Sequence, residues 1–358
     1  MTTALNNAFA KQLGAAEFLE GVQLKNGWTV VSKAPQAVNS TGGCFSIPYI
    51  VEKQAGNTRH RAFLKVLNLR HLLAAADLPR EMQRMTTAFN FERDTLLACR
   101  NQKLRRVATL IEDGQHTIPN NPFPICYIIF ELAAGDIRKQ IEQLTEFNLA
   151  WRLRTIHQVA VGLSQLHGKK IAHQDLKPSN VLIFEEFGAK ISDLGCADSG
   201  IQPNSSPRGA LPYAGDPSYA PPELLYGEVS PDWQTRRIGC DLYLLGNLIV
   251  FFFSNGASMT AVLHQHLHPS HSWTQWPHDY RTALPYVMDA FEKALSQVAQ
   301  DISENVRQPI IEIIRQLCDP DPRRRGDRSQ TRNQLDLERL ISRFDVLATK
   351  AAYNLLPA

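Results

Sequence analysis

Two short stretches decide how this sequence reads: Ile171-Ala-His173-Gln174-Asp175-Leu-Lys177-Pro-Ser-Asn180-Val-Leu182-Ile183 and, a little further on, Lys190-Ile-Ser-Asp193-Leu194-Gly195. Asp175 offers a carboxylate able to accept a proton, and Lys177 places a cation two positions away. Asn180 adds a neutral oxygen donor, and Asp193 a second carboxylate just before Gly195, which permits a turn. Hard oxygen donors that leave room for a substrate's own oxygens are what magnesium favours. An incidental polar loop between helices is the bland reading; the number of chemically apt positions at such short spacing weighs against it.

The chain around these stretches changes character. Trp28–Ser32, Ser46–Glu52, Arg61–Leu67, Val107–Ile111 and Cys126–Phe130 are rich in β-branched or aromatic residues and bounded by turn formers, so each predicts a strand. Met82, Met85, Phe89, Glu92, Leu96 and Cys99 recur at steps of three and four and predict one helix. A carboxylate inside that apolar stripe, Glu92, requires a cationic partner. After Leu132 the periodicity is helical. A second stripe runs from Leu149 through Leu153, Ile156, Ala160 and Leu163 to His167, and further helices are expected from Asp241, at Pro309–Leu317 and at Leu335–Leu347. Pro203–Pro222 reads as a long loop and residues 254–285 as a second irregular insertion.

Composition narrows the classes. With 358 residues and 44% hydrophobic residues the chain can bury a large core, as one big domain or as two lobes. A net charge of +3 from 38 basic and 35 acidic residues lacks the clustered excess of a nucleic-acid binder, so none is expected. Six scattered cysteines form neither a zinc pattern nor a disulfide framework, which points to a reducing cytoplasm. The most apolar run, Leu242–Phe253, is too short to span a bilayer, and no membrane association is expected.

The two opening stretches resemble the His-Arg-Asp catalytic loop and the Asp-Phe-Gly motif of eukaryotic-like serine/threonine protein kinases, with Gln174 in place of the arginine and Leu194 in place of the phenylalanine. The resemblance covers about residues 24–345. It implies an α+β bilobal fold: an N-terminal extension (1–23), an N-lobe (24–131), a C-lobe (132–348) with its hinge near 131–135 and activation segment at 193–223, and a tail (349–358). It implies that ATP and Mg2+ are the cofactors and a protein Ser/Thr hydroxyl the acceptor. Asp175 becomes the base, Lys177 the phosphate-neutralising cation, and Asn180 and Asp193 the magnesium ligands. Lys65 becomes the ATP lysine and Glu92 its ion-pair partner, with Glu81 as the alternative. Gly42 and Gly43 belong to the phosphate-covering loop. Ala62 and Leu182 sandwich adenine, Phe130 is the gatekeeper, and backbone groups of Glu131 and Ala133 hydrogen-bond adenine. Asp136 reaches ribose or substrate. Leu96, Leu110, His173 and Leu194 form one packing column.

Further along, Gly215-Asp216-Pro-Ser-Tyr219-Ala-Pro221-Pro222-Glu223 resembles the end of an activation segment, with Asp216 where such kinases usually carry a threonine. Arg325 matches the late arginine that pairs with that glutamate, and Asp241 the residue that braces the catalytic-loop backbone. Two other readings stay open: a small-molecule kinase of the aminoglycoside-phosphotransferase type, and a pseudokinase scaffold. The first generally lacks counterparts of Lys177, Pro222-Glu223 and Arg325. The second conflicts with the retention of Lys65, Asp175, Asn180 and Asp193. Abundant Ala, Leu and Gln resemble the style of a bacterial stand-alone kinase. His264, His266, His268, His271 and His278 read as a docking loop rather than a metal site, since no cysteine or acidic residue joins them.

Overall fold

Alternating burial builds the first sheet. In β3 (Thr58–Leu67), Ala62, Leu64 and Val66 point into the core, while Lys65 projects from the opposite face. β2 (Ser46–Ala55) pairs with β3 along its whole length, Ala55 facing Thr58. Only Gly56 and Asn57 lie between them, and Gly56 has φ +60°. That positive φ at the first central position is what a type II′ hairpin turn requires. β1 (Trp28–Lys33), β4 (Leu110–His116) and β5 (Ile125–Glu131) complete an antiparallel sheet in the order β1-β2-β3-β5-β4. Ala16, Leu19 and Leu24, before β1, join Trp28, Tyr49 and Tyr127 in its core.

A computed structural model describes residues 9–35, 46–143, 148–201, 213, 215–330 and 333–356. The chain divides into two units, Met1–Ala134 and Gly135–Ala358. The first holds the sheet and the helix Leu78–Asn101, which Asp77 caps by accepting a hydrogen bond from the Arg80 N–H. The second is mostly helical. Its centre is the helix Gly239–Phe253, in which every residue except Phe251 is buried. A Cβ at Gly246 would lie 2.2 Å from Cys318 Sγ, so only glycine lets this helix approach the end of the helix Glu304–Leu317 so closely. The helices Leu149–His167 and Glu338–Ala352 pack together, with Arg154 and Asp345 paired at 2.6 Å. An α+β chain with a β-rich first part and a helical remainder is what the sequence pattern predicts.

Several boundaries differ. β4 runs over Leu110–His116 instead of Val107–Ile111: Val107 and Ala108 are buried core residues ahead of the strand, and the strand itself is a largely polar edge of the sheet. Residues 254–285 are not irregular throughout: Met259–His266 is a helix capped by Ser258, and Tyr280 opens the long helix Tyr280–Asp301 with Pro285 inside it. Pro285 acts as a breaker in the sequence, yet Ala283, Val287, Ala290, Phe291 and Ala294 form a buried stripe that overrides it, while Pro277 stays outside the helix. Among the described residues, no helix is long and apolar enough to cross a membrane.

Candidate active site

In the first unit, the helix Leu78–Asn101 turns Met85, Phe89, Leu96 and Cys99 inward, and Glu92 lies on the same buried face. Lys65 Nζ donates to Glu92 Oε1 at 2.6 Å and to Oε2 at 2.9 Å. The carboxylate therefore has the cation that its position requires. Glu81 is engaged by Arg84 instead. Ala62 stands opposite Glu131 in the β3–β5 ladder. The Glu131 N–H donates to the Thr109 carbonyl at 3.2 Å, and Glu131 Oε1 accepts from the Thr109 N–H at 2.6 Å. The Phe130 ring lies 6.4 Å from that of Phe63. Gly42 and Gly43 lie outside the described residues.

In the second unit, the loop from His173 to Asn180 is fixed by one buried carboxylate. Asp241 Oδ2 accepts the His173 N–H at 2.7 Å, and Oδ1 accepts the Gln174 N–H at 2.8 Å. His167 Nε2 lies 2.8 Å from Oδ2. Burial alone would raise the Asp241 pKa; the hydrogen bond and charge of His167, with the Gln174 N–H, bring it below the ordinary aspartate value. The His173 ring donates from Nε2 to the Ser192 carbonyl at 3.0 Å and accepts the Asp175 N–H at Nδ1, 3.3 Å away. One imidazole thus joins the loop to the strand pair Val181–Phe184 and Gly188–Ile191 through Ser192.

Around Asp175 the sequence-predicted residues converge. Asn180 Nδ2 donates to the Asp175 carbonyl at 2.8 Å and to Oδ2 at 3.1 Å. Lys177 Nζ lies 3.2 Å from Oδ2, and the Asp216 N–H donates to Oδ1 at 2.9 Å. A Cβ at Gly215 would meet Asp175 Oδ1 at 2.5 Å, so this backbone approach depends on glycine. Burial pushes the Asp175 carboxyl above the ordinary aspartate range; Lys177 opposes this, and the negative charge of Asp193 adds to it. A carboxylate so poised is suited to accepting a proton. Asp193 adopts φ +61°, a left-handed conformation that re-aims the chain after the strand Gly188–Ile191. Leu182 lies on the strand Val181–Phe184, opposite both Asp136 and Lys190. Asp136 is engaged by Arg138, whose Nη2 lies 2.8 Å from Oδ2.

The donor chemistry suits magnesium in a particular way. With its amino group committed to Asp175, Asn180 can offer only its amide oxygen, and Asp193 offers a carboxylate. Among the described residues, no group of three or more His, Cys, Asp or Glu could hold a metal ion. An amide oxygen and one carboxylate could hold magnesium only with further oxygen ligands from a bound substrate. The histidine loop is aromatic packing: His271 stacks on Tyr286 at 3.8 Å, and Trp276 meets both rings edge-on.

Two sets of residues escaped the sequence reading. Arg237, almost wholly buried, places Nε 3.0 Å from Asp198 Oδ2 and donates from Nη1 to Gln174 Oε1 at 3.1 Å. Trp233 Nε1 donates to the other Asp198 oxygen at 3.0 Å, and Gln174 Nε2 returns to the Arg237 carbonyl at 2.8 Å. Further along, the carbonyls of Ser218, Tyr219 and Ala220 accept from Ser258 Oγ, Asn247 Nδ2 and Thr260 Oγ1 at 3.0, 2.6 and 3.1 Å. Neither set follows a sequence spacing. Glu223 and Arg325 form a bidentate pair at 2.7 and 2.9 Å. The arginine run around it is paired too: Arg323 to Asp321 at 2.8 Å and Arg324 to Asp319 at 3.3 Å.

Comparison with known proteins agrees with this geometry. A family model described as protein kinase domain matches residues 77–334. Human rhodopsin kinase is 37% identical over 108 residues, 29% of this chain and 19% of its own. The MAP kinase-interacting serine/threonine-protein kinase 1 of Xenopus tropicalis is 28% identical over 219 residues, 57% of this chain and 42% of its own. The serine/threonine-protein kinase par-4 of Caenorhabditis elegans is 31% identical over 154 residues, 41% of this chain and 23% of its own. The chain thus spans less than half the length of each of these relatives.

Proposed function

We propose that this chain, which belongs to the protein kinase family, transfers the γ-phosphate of ATP to Ser or Thr hydroxyls of protein substrates, its own included. The observation that carries the reading is the convergence of Lys177, Asn180 and the Asp216 N–H on the buried carboxylate of Asp175. In this reading Asp175 orients the acceptor hydroxyl and takes its proton as the phosphoryl group moves. Lys177 offsets charge on the transferred group. Asn180 and Asp193 would hold Mg2+ against ATP oxygens, where the ion neutralises charge that develops on the phosphates. Lys65, kept in place by Glu92, is assigned to the ATP phosphates, and Ala62, Leu182 and the backbone of Glu131 and Ala133 to adenine. The names of the relatives support Ser/Thr specificity, as does Lys177. The buried Glu223–Arg325 pair supports a protein kinase over a small-molecule phosphotransferase.

The deciding assay supplies radiolabelled ATP, a generic basic protein and a cell lysate to the purified chain. Asp193→Asn and Lys65→Ala should each lower transfer by about two to three powers of ten, since each removes charge stabilisation that water does not replace. Full activity in Asp193→Asn would sink the reading. ATP with Mg2+ should raise the melting temperature by mass action, and EDTA should shrink that shift. Binding without transfer would return the pseudokinase.

A further inference from the structure

Lys177 is a buried ammonium on a flexible stem, placed between two carboxylates. Nζ lies 3.2 Å from Asp175 Oδ2 and 3.7 Å from Asp216 Oδ2. Asp175 is engaged on both oxygens: the same Oδ2 accepts from Asn180, and Oδ1 accepts the Asp216 N–H, which leaves one lone pair of Oδ1 for an acceptor hydroxyl. Asp216 is held rigidly from the other side. Its Oδ1 accepts the Ser218 N–H at 3.0 Å and the Ser218 hydroxyl at 2.6 Å. The carbonyls that follow are clamped by Ser258, Asn247 and Thr260.

During transfer the acceptor oxygen forms its bond to phosphorus as the bond to the ADP oxygen breaks, and the acceptor proton passes to Asp175. At that moment Asp175 becomes neutral, and Asp216 is the one of these two carboxylates that still holds Lys177. Without it, the flexible ammonium would lose its protein counter-charge and move from the position from which it meets the transferred group. We propose that Asp216 is a positioning residue of the acceptor site, whose carboxylate keeps Lys177 in place while Asp175 carries the acceptor's proton. The inference rests on the kinase reading above. It assigns a role to a position where a neutral hydroxyl side chain could hydrogen-bond Lys177 but could not balance its charge.

Two measurements test it. The first compares steady-state kinetics of the wild type with Asp216→Asn, Asp216→Thr and Asp216→Glu. The Asn and Thr variants should lose about tenfold to a hundredfold in kcat, the scale of a misplaced catalytic group, with the KM for ATP within about twofold of the wild type. Asp216→Glu should recover part of the loss. A purely structural role would instead move the melting temperature, and Glu would not rescue. The second needs no activity: crystal structures of Asp175→Asn, which mimics the neutral base, and of Asp175→Asn/Asp216→Asn. Lys177 Nζ should stay beside Asp216 in the single variant and leave in the double. Wild-type kcat in a folded Asp216→Asn variant overturns the proposal, as does a Lys177 that leaves Asp216 in the single variant. A wild type without phosphoryl transfer overturns the kinase reading instead, and the crystal structures then decide the placement of Lys177 by themselves.

Discussion

Removing Arg325 should strongly destabilise the second unit, and the size of the effect follows from the contacts. The guanidinium is fully buried, forks onto both oxygens of Glu223, and donates to the carbonyls of Gly239 and Asp319 at 3.1 and 3.0 Å. It also lies over the Tyr243 ring, 5.0 Å from its centroid. Burial alone would lower its pKa; the charge of Glu223 outweighs that and holds it above the ordinary value. Stranding the Glu223 carboxylate costs about 3–5 kcal/mol, and the lost hydrogen bonds to the Asp319 and Gly239 carbonyls add about 1 kcal/mol or more. Against a typical total of about 5–15 kcal/mol, Arg325→Ala leaves the unit marginal. At about 2–4 °C per kcal/mol for a domain of this size, the melting temperature should fall by about 10 °C or more. Arg325→Lys keeps the charge but not the fork and should fall between the two. Trp151, Trp233, Trp273 and Trp276, four of the five tryptophans, lie in this unit, so their fluorescence follows its unfolding. A loss under about 3 °C in Arg325→Ala, on the same scale, would refute the buried-charge reasoning, as would wild-type stability in Arg325→Lys.

Phosphatase treatment should leave activity within about tenfold of the untreated enzyme, or roughly 1.4 kcal/mol of barrier. The reason is that Asp198 already gives Arg237 an internal carboxylate, and Gln174 carries no charge with which to hold a phosphate. A Ser199→Ala/Ser205→Ala/Ser206→Ala variant, with the last two serines outside the described residues, should behave the same; a larger loss in either assay refutes this. Asp241 supplies the pH dependence. Its folded-state pKa is depressed, so its contribution to stability is complete above the unfolded aspartate value of about 3.9 and fades as pH falls through the lower folded value. The melting-temperature gap between wild type and Asp241→Asn should therefore be full at neutral pH and narrow below about pH 4. A gap that does not change with pH would show that the bond network, and not the charge, carries the effect.

The parts of the molecule legible in the sequence are those whose chemistry fixes residue types at short range. Asp175, Lys177 and Asn180 sit within one loop, so their convergence is implicit in their spacing. Glu92 was legible as an oddity, a charge in an apolar stripe, and Lys65 resolves it. The Arg237–Asp198–Gln174 network was hidden because its members come from three separate segments and no periodicity marks them. β4 was misplaced because it is an edge strand: Glu112, Asp113, Gln115 and His116 need no apolar alternation there. The Tyr280–Asp301 helix is hidden in the sequence by Pro285 inside it, although its apolar face is continuous.

The helix Gly239–Phe253 also has a consequence in time. Buried on nearly every side, it has no face that water tolerates until its neighbours exist. Leu317 and Cys318, against which Gly246 closes, and Arg325, which caps the Gly239 carbonyl, are synthesised only later. At about 5–20 residues per second, the ribosome leaves this greasy segment waiting for several seconds. During that interval its apolar surface is exposed and open to a chaperone. Substitutions that slow closure at Gly246 or Cys318 should therefore reduce the yield of folded protein more than its final stability.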